Sequence, residues 1–179
     1  MRVDLEVDET ATARVSVHGL LNDERFLSAM ESGFPLYVEY RVELREARSL
    51  WDRTVDAVEW EYVVLYDPVR QRYRLEYRDG TEYIPDAAAL SQRLEDVYPV
   101  DELQPDSPGR YYFAAVVSAT TLTDEDVDEV FAWLRGEGAD SLPHDRPGFL
   151  TRAARKLLVR VAPLPRVELE GKSEKFEQP

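Results

Sequence analysis

Residues 31–77 read ESGFPLYVEYRVELREARSLWDRTVDAVEWEYVVLYDPVRQRYRLEY, and this stretch decides the fold. Leu36, Val38, Tyr40, Val42 and Leu44 alternate with Tyr37, Glu39, Arg41, Glu43 and Arg45. Side chains of a strand point to opposite faces in turn, so this pattern predicts a strand with one buried and one wet face. A turn near Trp51, Asp52 and Arg53 reverses the chain. Val58, Trp60, Tyr62, Val64 and Tyr66 then supply the inner face of a second strand. Asp67 and Pro68 open another tight turn, because proline holds the φ that a turn's second position needs. Tyr73, Leu75 and Tyr77 continue the meander, and Asp79 with Gly80 suits a two-residue hairpin loop.

Outward from this meander, Val3, Leu5 and Val7, then Ala13, Val15 and Val17, alternate with polar neighbours and predict two short strands. A helix of about three turns follows, capped by Asn22, with Phe26, Leu27 and Met30 on one face. Gly33 can take the left-handed conformation that ends it, and Pro35 forbids its continuation. Asp86 caps a second helix carrying Leu90, Leu94 and Val97, which stops before Pro99. Residues 101–109 read as a loop, and residues 111–122, apolar on both faces, as a central strand. Thr123 and Asp126 have the spacing of a capping box, leading a helix with Val127, Val130, Phe131 and Leu134 that Gly136 ends. Residues 136–147 read as an exposed linker. A basic amphipathic helix is predicted over residues 149–161, closed by Pro163 and Pro165, and Val167 with Leu169 predict an edge strand.

These elements predict a single α+β domain over residues 1–170, with 171–179 as a flexible tail. It is β-rich: a curved antiparallel sheet or a sandwich-like pair of sheets, with three or four helices packed at its faces and edges. A chain of 179 residues buries about 70% of its unfolded surface. Hydrophobic residues make up 44%, and the 3 Trp, 10 Tyr and 6 Phe can fill a core. The formal charge of −14 argues against a general nucleic-acid binder, since phosphate contacts need a basic surface. Without cysteine there are no disulfides, thiolate metal sites or cysteine nucleophiles. The opening MRVDLEVDET has no apolar core of a leader and no stop-transfer segment, so the residues given are expected to be neither targeted nor membrane-spanning.

Catalytic patterns are scarce. His18 ends a strand before Gly19 and His144 lies in the linker; a structural or solvated role is the plainer reading of each. No nucleophile elbow, HExxH pair, phosphate loop or dinucleotide fingerprint occurs. Asp124, Asp126 and Asp128 have the opening spacing of a calcium loop, but Glu129 replaces its glycine and Arg135 its bidentate glutamate. Acids in the first turns of a helix explain them better. No cofactor or metal is expected.

Arg152, Arg155, Lys156 and Arg160 form a local basic cluster opposite Phe149, Leu150, Ala153, Leu157 and Val161. Such a helix can dock on an acidic partner or touch an anionic membrane peripherally; the plainer reading packs its apolar face on the sheet. Trp60 and Trp133 fall on apolar faces and are expected in the core. Trp51, at a turn, is expected to pack under the hairpin.

Gly33-Phe34-Pro35-Leu36, Arg45, Trp51-Asp52, Tyr66 and Gln71-Arg72-Tyr73-Arg74-Leu75 resemble the bacterial family called domain of unknown function 4390. Its members run from a helix ending in G-x-P-L through a long strand, a W/F-D turn, an L-x-Y strand and a Y-R-L strand. The resemblance covers roughly residues 15–135 and includes Tyr111-Tyr112 and Thr121-Leu122; the basic helix and tail lie outside it. It implies the same sheet and no assigned activity. Members commonly begin with a signal peptide or membrane anchor, which implies a periplasmic or envelope-facing protein. The residues given carry no such leader, so localisation is left open. Together these observations predict a non-catalytic binding or assembly module with a protein partner, associated with the bacterial cell envelope. The alternatives are a small-molecule or lipid carrier with an aromatic-lined cavity and a hydrolase with a non-local active site.

Overall fold

A computed structural model of the chain describes residues 1–121 and 165–179. The smaller of its two sheets is antiparallel, in the order β1 (Arg2–Val7), β2 (Ala13–His18), β7 (Tyr98–Val100). The larger is also antiparallel and runs β10 (Phe176–Gln178), β8 (Gly109–Thr120), β3 (Leu36–Glu46), β4 (Arg53–Asp67), β5 (Arg72–Tyr77), β6 (Gly80–Ile84). Strand β9 (Arg166–Lys172) pairs with β8 on the side that β10 also uses. Of the two expected arrangements, the pair of sheets is the one formed. The described residues hold two α-helices rather than three or four: α1 (Glu24–Glu31) and α2 (Ala87–Leu94), besides a 3-10 turn at Leu20–Asn22. The helices expected after Thr123 and over 149–161 lie outside the described residues, with Trp133, His144 and the linker.

The meander forms in the predicted order. On β3 the inward Leu36, Val38, Tyr40, Val42 and Leu44 are buried, and Glu39 and Arg41 are exposed. From the other sheet Leu5, Val15 and Val17 join them in one apolar core with Val64, Leu75 and Phe113. Strand β8 is buried on both faces over Tyr111, Tyr112, Phe113, Ala114 and Ala115, as a central strand must be. Between Leu44 and Arg45 the register shifts: Leu44 faces Asp56 and Arg45 faces Thr54, leaving Val55 as a bulge. A bulge bends a strand and raises its twist.

Several boundaries differ from expectation. Asp23, not Asn22, caps α1, accepting from the Arg25 amide at 3.1 Å, and the helix runs two turns because the 3-10 turn occupies the residues before it. Gly33 does take a left-handed φ of 94° behind it. Asp86 caps α2 through the Ala89 amide, at 2.8 Å. Val97 lies beyond that helix and is 56% exposed; β7 follows it. Arg78 and Asp79 make the hairpin turn, and Gly80 already pairs with Tyr77. Nor is the C-terminus a loose tail from residue 171. Lys172 pairs with Ala114, the Ser173 hydroxyl accepts from the Phe113 amide at 2.9 Å, and Phe176 stacks on Phe113 with centroids 5.5 Å apart.

The β1–β2 turn is held by one side chain. Asp8 accepts from the Thr10 hydroxyl at 2.6 Å and from the amides of Thr10 and Thr12 at 2.9 and 3.1 Å. The Thr10 hydroxyl bond first, then the Thr12 amide, hold its pKa down to about 2. A carboxylate depressed in the folded state contributes stability above its unfolded pKa and loses it as pH falls through the folded value. Asp8→Asn is therefore expected to unfold more easily than wild type in urea at pH 7. That gap should narrow between about pH 4 and pH 2. A gap independent of pH would remove Asp8 from this role.

Candidate functional site

Where the two sheets meet at one end, their aromatic rings converge. On β3 and β4, Tyr40 lies opposite Trp60 and stacks on it with centroids 4.8 Å apart and 7° between planes. Tyr98, from β7 of the other sheet, covers Trp60's second face at 4.6 Å. Tyr62 meets Tyr40 and Tyr77 edge to face, at 5.6 and 6.4 Å. Such offset and edge-on pairs satisfy the ring quadrupoles and add to the burial term.

These rings line a cleft of about 580 Å³ together with Val15, Val58, Leu94 and Val97. Five carboxylates, Glu59, Glu61, Asp79, Asp96 and Glu102, share the lining with Arg78 and Arg93. Arg93 is already committed, at 2.9 Å to Glu82 and 3.4 Å to Asp96. Burial raises the Tyr40 and Tyr62 pKa values. It also raises that of Tyr98, where Glu102, Asp79 and Asp101 push the same way and Arg78 opposes them. Negative potential therefore converges on the Tyr98 hydroxyl. The Trp60 indole N–H is buried and faces the Tyr62 hydroxyl without reaching hydrogen-bond geometry.

Beside the cleft, β4 outruns its neighbour. It pairs with β3 from Arg53 to Val64, but β5 stops at the Tyr62–Tyr77 pair. Among the described residues no strand takes the other edge of residues 53–61. The outer face of the same strands forms a second hollow, of about 570 Å³, lined by Glu39, Arg41, Glu59, Glu61, Ser118 and Glu168 among others. There Arg41 reaches Glu43 at 2.9 Å and Glu59 at 2.8 Å, exposed pairs worth little each.

His18 keeps its structural reading, and Trp51 does not keep its place under the hairpin. His18 does have neighbours: its Nε2 lies 3.1 Å from the Ser16 hydroxyl and 3.4 Å from Asp4, and its Nδ1 lies 3.5 Å from Glu95. Serine, histidine and carboxylate in line evoke acyl transfer, but Asp4 competes with Ser16 for Nε2 and Ser16 is buried. A nucleophile needs substrate access, and neither cleft above is lined by these residues. Instead the ring joins β1, β2 and the end of α2, where Glu95 also accepts from the Gly19 amide at 2.9 Å. Trp51 does not pack under the hairpin: it is 83% exposed, and Leu50 is 84% exposed beside it. Asp52 explains this display, since it accepts from the Tyr112 hydroxyl at 2.8 Å and the Arg48 amide at 3.2 Å and so holds the turn.

No group of three His, Asp or Glu side chains among the described residues is placed to hold a metal ion. No described helix is long and apolar enough to cross a membrane. The basic cluster Arg152, Arg155, Lys156 and Arg160 lies outside the described residues.

A two-sheet antiparallel domain with an aromatic cleft and, among the described residues, an unpaired edge of β4 is the class this geometry defines. The chain belongs to the family described as domain of unknown function (DUF4390), which matches residues 1–121. The match starts nearer the N-terminus than the motifs alone indicated and ends at the close of β8. No curated protein and no solved structure matches the chain.

Proposed function

We propose that this chain is a non-catalytic binding module that receives an extended segment of a partner protein along the open edge of β4. One observation carries the reading: among the described residues, no strand pairs with the outer edge of residues 53–61, which runs directly into the aromatic cleft. Unpaired main-chain groups of an edge give affinity to an added strand, and adjacent pockets choose its side chains. Two other edges among the described residues are blunted by being short. Strand β7 is three residues long and β6 five, and short edge strands recruit poorly. Envelope assembly is the setting we assign to this binding, on the strength of the family resemblance.

A photo-crosslinking residue at exposed Ala57, beside the edge, tests this in the protein's native cells against the same residue at Glu9 in the β1–β2 turn. A protein captured at Ala57 and not at Glu9, whose purified form slows amide exchange over residues 53–61, is the expected result. Equal capture at both positions would sink the proposal. So would slow exchange, in the free protein, of the alternate amides of residues 53–61 that point away from β3, because the edge would then already be paired.

A further inference from the structure

The cleft and the edge carry one sign of charge. Along residues 53–61, Asp56, Glu59 and Glu61 outnumber Arg53. On the cleft's inner side Asp79, Asp96 and Glu102 face Arg78 and Arg93, and Arg93 is already tied to Glu82 and Asp96, while Glu59 and Glu61 alternate onto the outer face of β4. Trp60 is covered on both faces, by Tyr40 and Tyr98. Tyr77 and Tyr98, each 37% exposed, are the rings that keep accessible surface at the mouth. A cation is drawn to the face of such a ring, and nearby carboxylates add to that attraction in a partly dry site. Arg78 is the opposing charge at the mouth, and being exposed it can swing toward the solvent.

We infer that the segment received by β4 is basic, and that one of its lysine or arginine side chains enters the cleft between Tyr77, Tyr98, Asp79 and Glu102. This rests on the edge reading above. The main chain supplies sequence-independent pairing, and the cleft selects the cation. The same charges discourage a second copy of this acidic chain from pairing at β4, as like charges brought opposite each other across strands repel.

Three capped octapeptides of alternating lysine and valine, glutamine and valine, or glutamate and valine test this with the whole protein. Affinity is read by calorimetry and the binding place by amide exchange over residues 53–61. The lysine peptide is expected to bind about tenfold more tightly than the glutamine peptide at low salt, an advantage that shrinks as salt screens it. The glutamate peptide should bind most weakly. The variant Asp79→Asn with Glu102→Gln changes two exposed side chains, leaves the fold intact, and should erase most of the lysine advantage. Equal affinity of the lysine and glutamine peptides, with residues 53–61 protected by both, would overturn the cationic occupant and leave the edge reading standing. Binding of the lysine peptide without protection at 53–61 would overturn both.

Discussion

Replacing Phe113 with alanine is expected to cost about 3–5 kcal/mol, the usual range for emptying a large aromatic site in a packed interior. The residue sits mid-strand on β8, fully buried, facing Leu44 across the β3 pairing. Its ring also stacks on Phe176, centroids 5.5 Å apart and 19° between planes, so it fastens the C-terminal strand to the sheet centre. For a domain of this size each kcal/mol moves the melting midpoint by about 2–4 °C, so a fall on the order of 10 °C should follow. Phe176→Ala is expected to cost less, since that ring is only partly buried. The double variant should show a coupling of about 0.5–1.5 kcal/mol between the rings. Urea unfolding measures all three. A Phe113→Ala cost below about 1 kcal/mol, or no coupling, would mean that residues 176–178 do not close the sheet as described.

What could be read from the chain beforehand follows from how local each signal is. The strict alternation from Leu36 to Leu44 is a property of one strand, so β3 was legible, and with it the meander to Tyr77. Strand β7 was not, because Leu90, Leu94 and Val97 keep helical spacing and Pro99 reads as a stop. In the fold Pro99 sits opposite Arg14 in a three-residue strand that a proline tolerates at an edge. The cleft was illegible for a different reason. Tyr40, Trp60 and Tyr98 look like three separate core residues, and only the contact between the two sheets stacks them. Among the described residues, the unpaired edge of β4 depends on where β5 ends, a fact about pairing length that no single strand's pattern contains. Trp51's exposure follows from a bond between Asp52 and Tyr112, partners distant in sequence. His18 and Glu95 meet in the same non-local way.

Gly171→Val is expected to cost about 1–3 kcal/mol through overpacking, although glycine in a strand usually weakens it. Strand β1 crosses over β9 here, and a Cβ at Gly171 would lie 2.9 Å from the Val3 Cγ1 and 3.3 Å from its carbonyl oxygen. The first contact can relax by rotating or trimming Val3; the second involves backbone and cannot. Shortening the partner as well, in Val3→Ala with Gly171→Val, should therefore return part of the loss and not all of it. A cycle of the two single variants and the double, followed by urea denaturation, separates this coupling from the separate cost of trimming Val3. Because the close approach joins the small sheet to the large one, it also fixes the separation at which Tyr98 of one sheet reaches Trp60 of the other. Gly171→Val should then weaken the lysine-peptide affinity beyond any fraction unfolded, with residues 53–61 still able to pair. A neutral Gly171→Val, or no relief from Val3→Ala, would show that β1 does not press on β9 at this point.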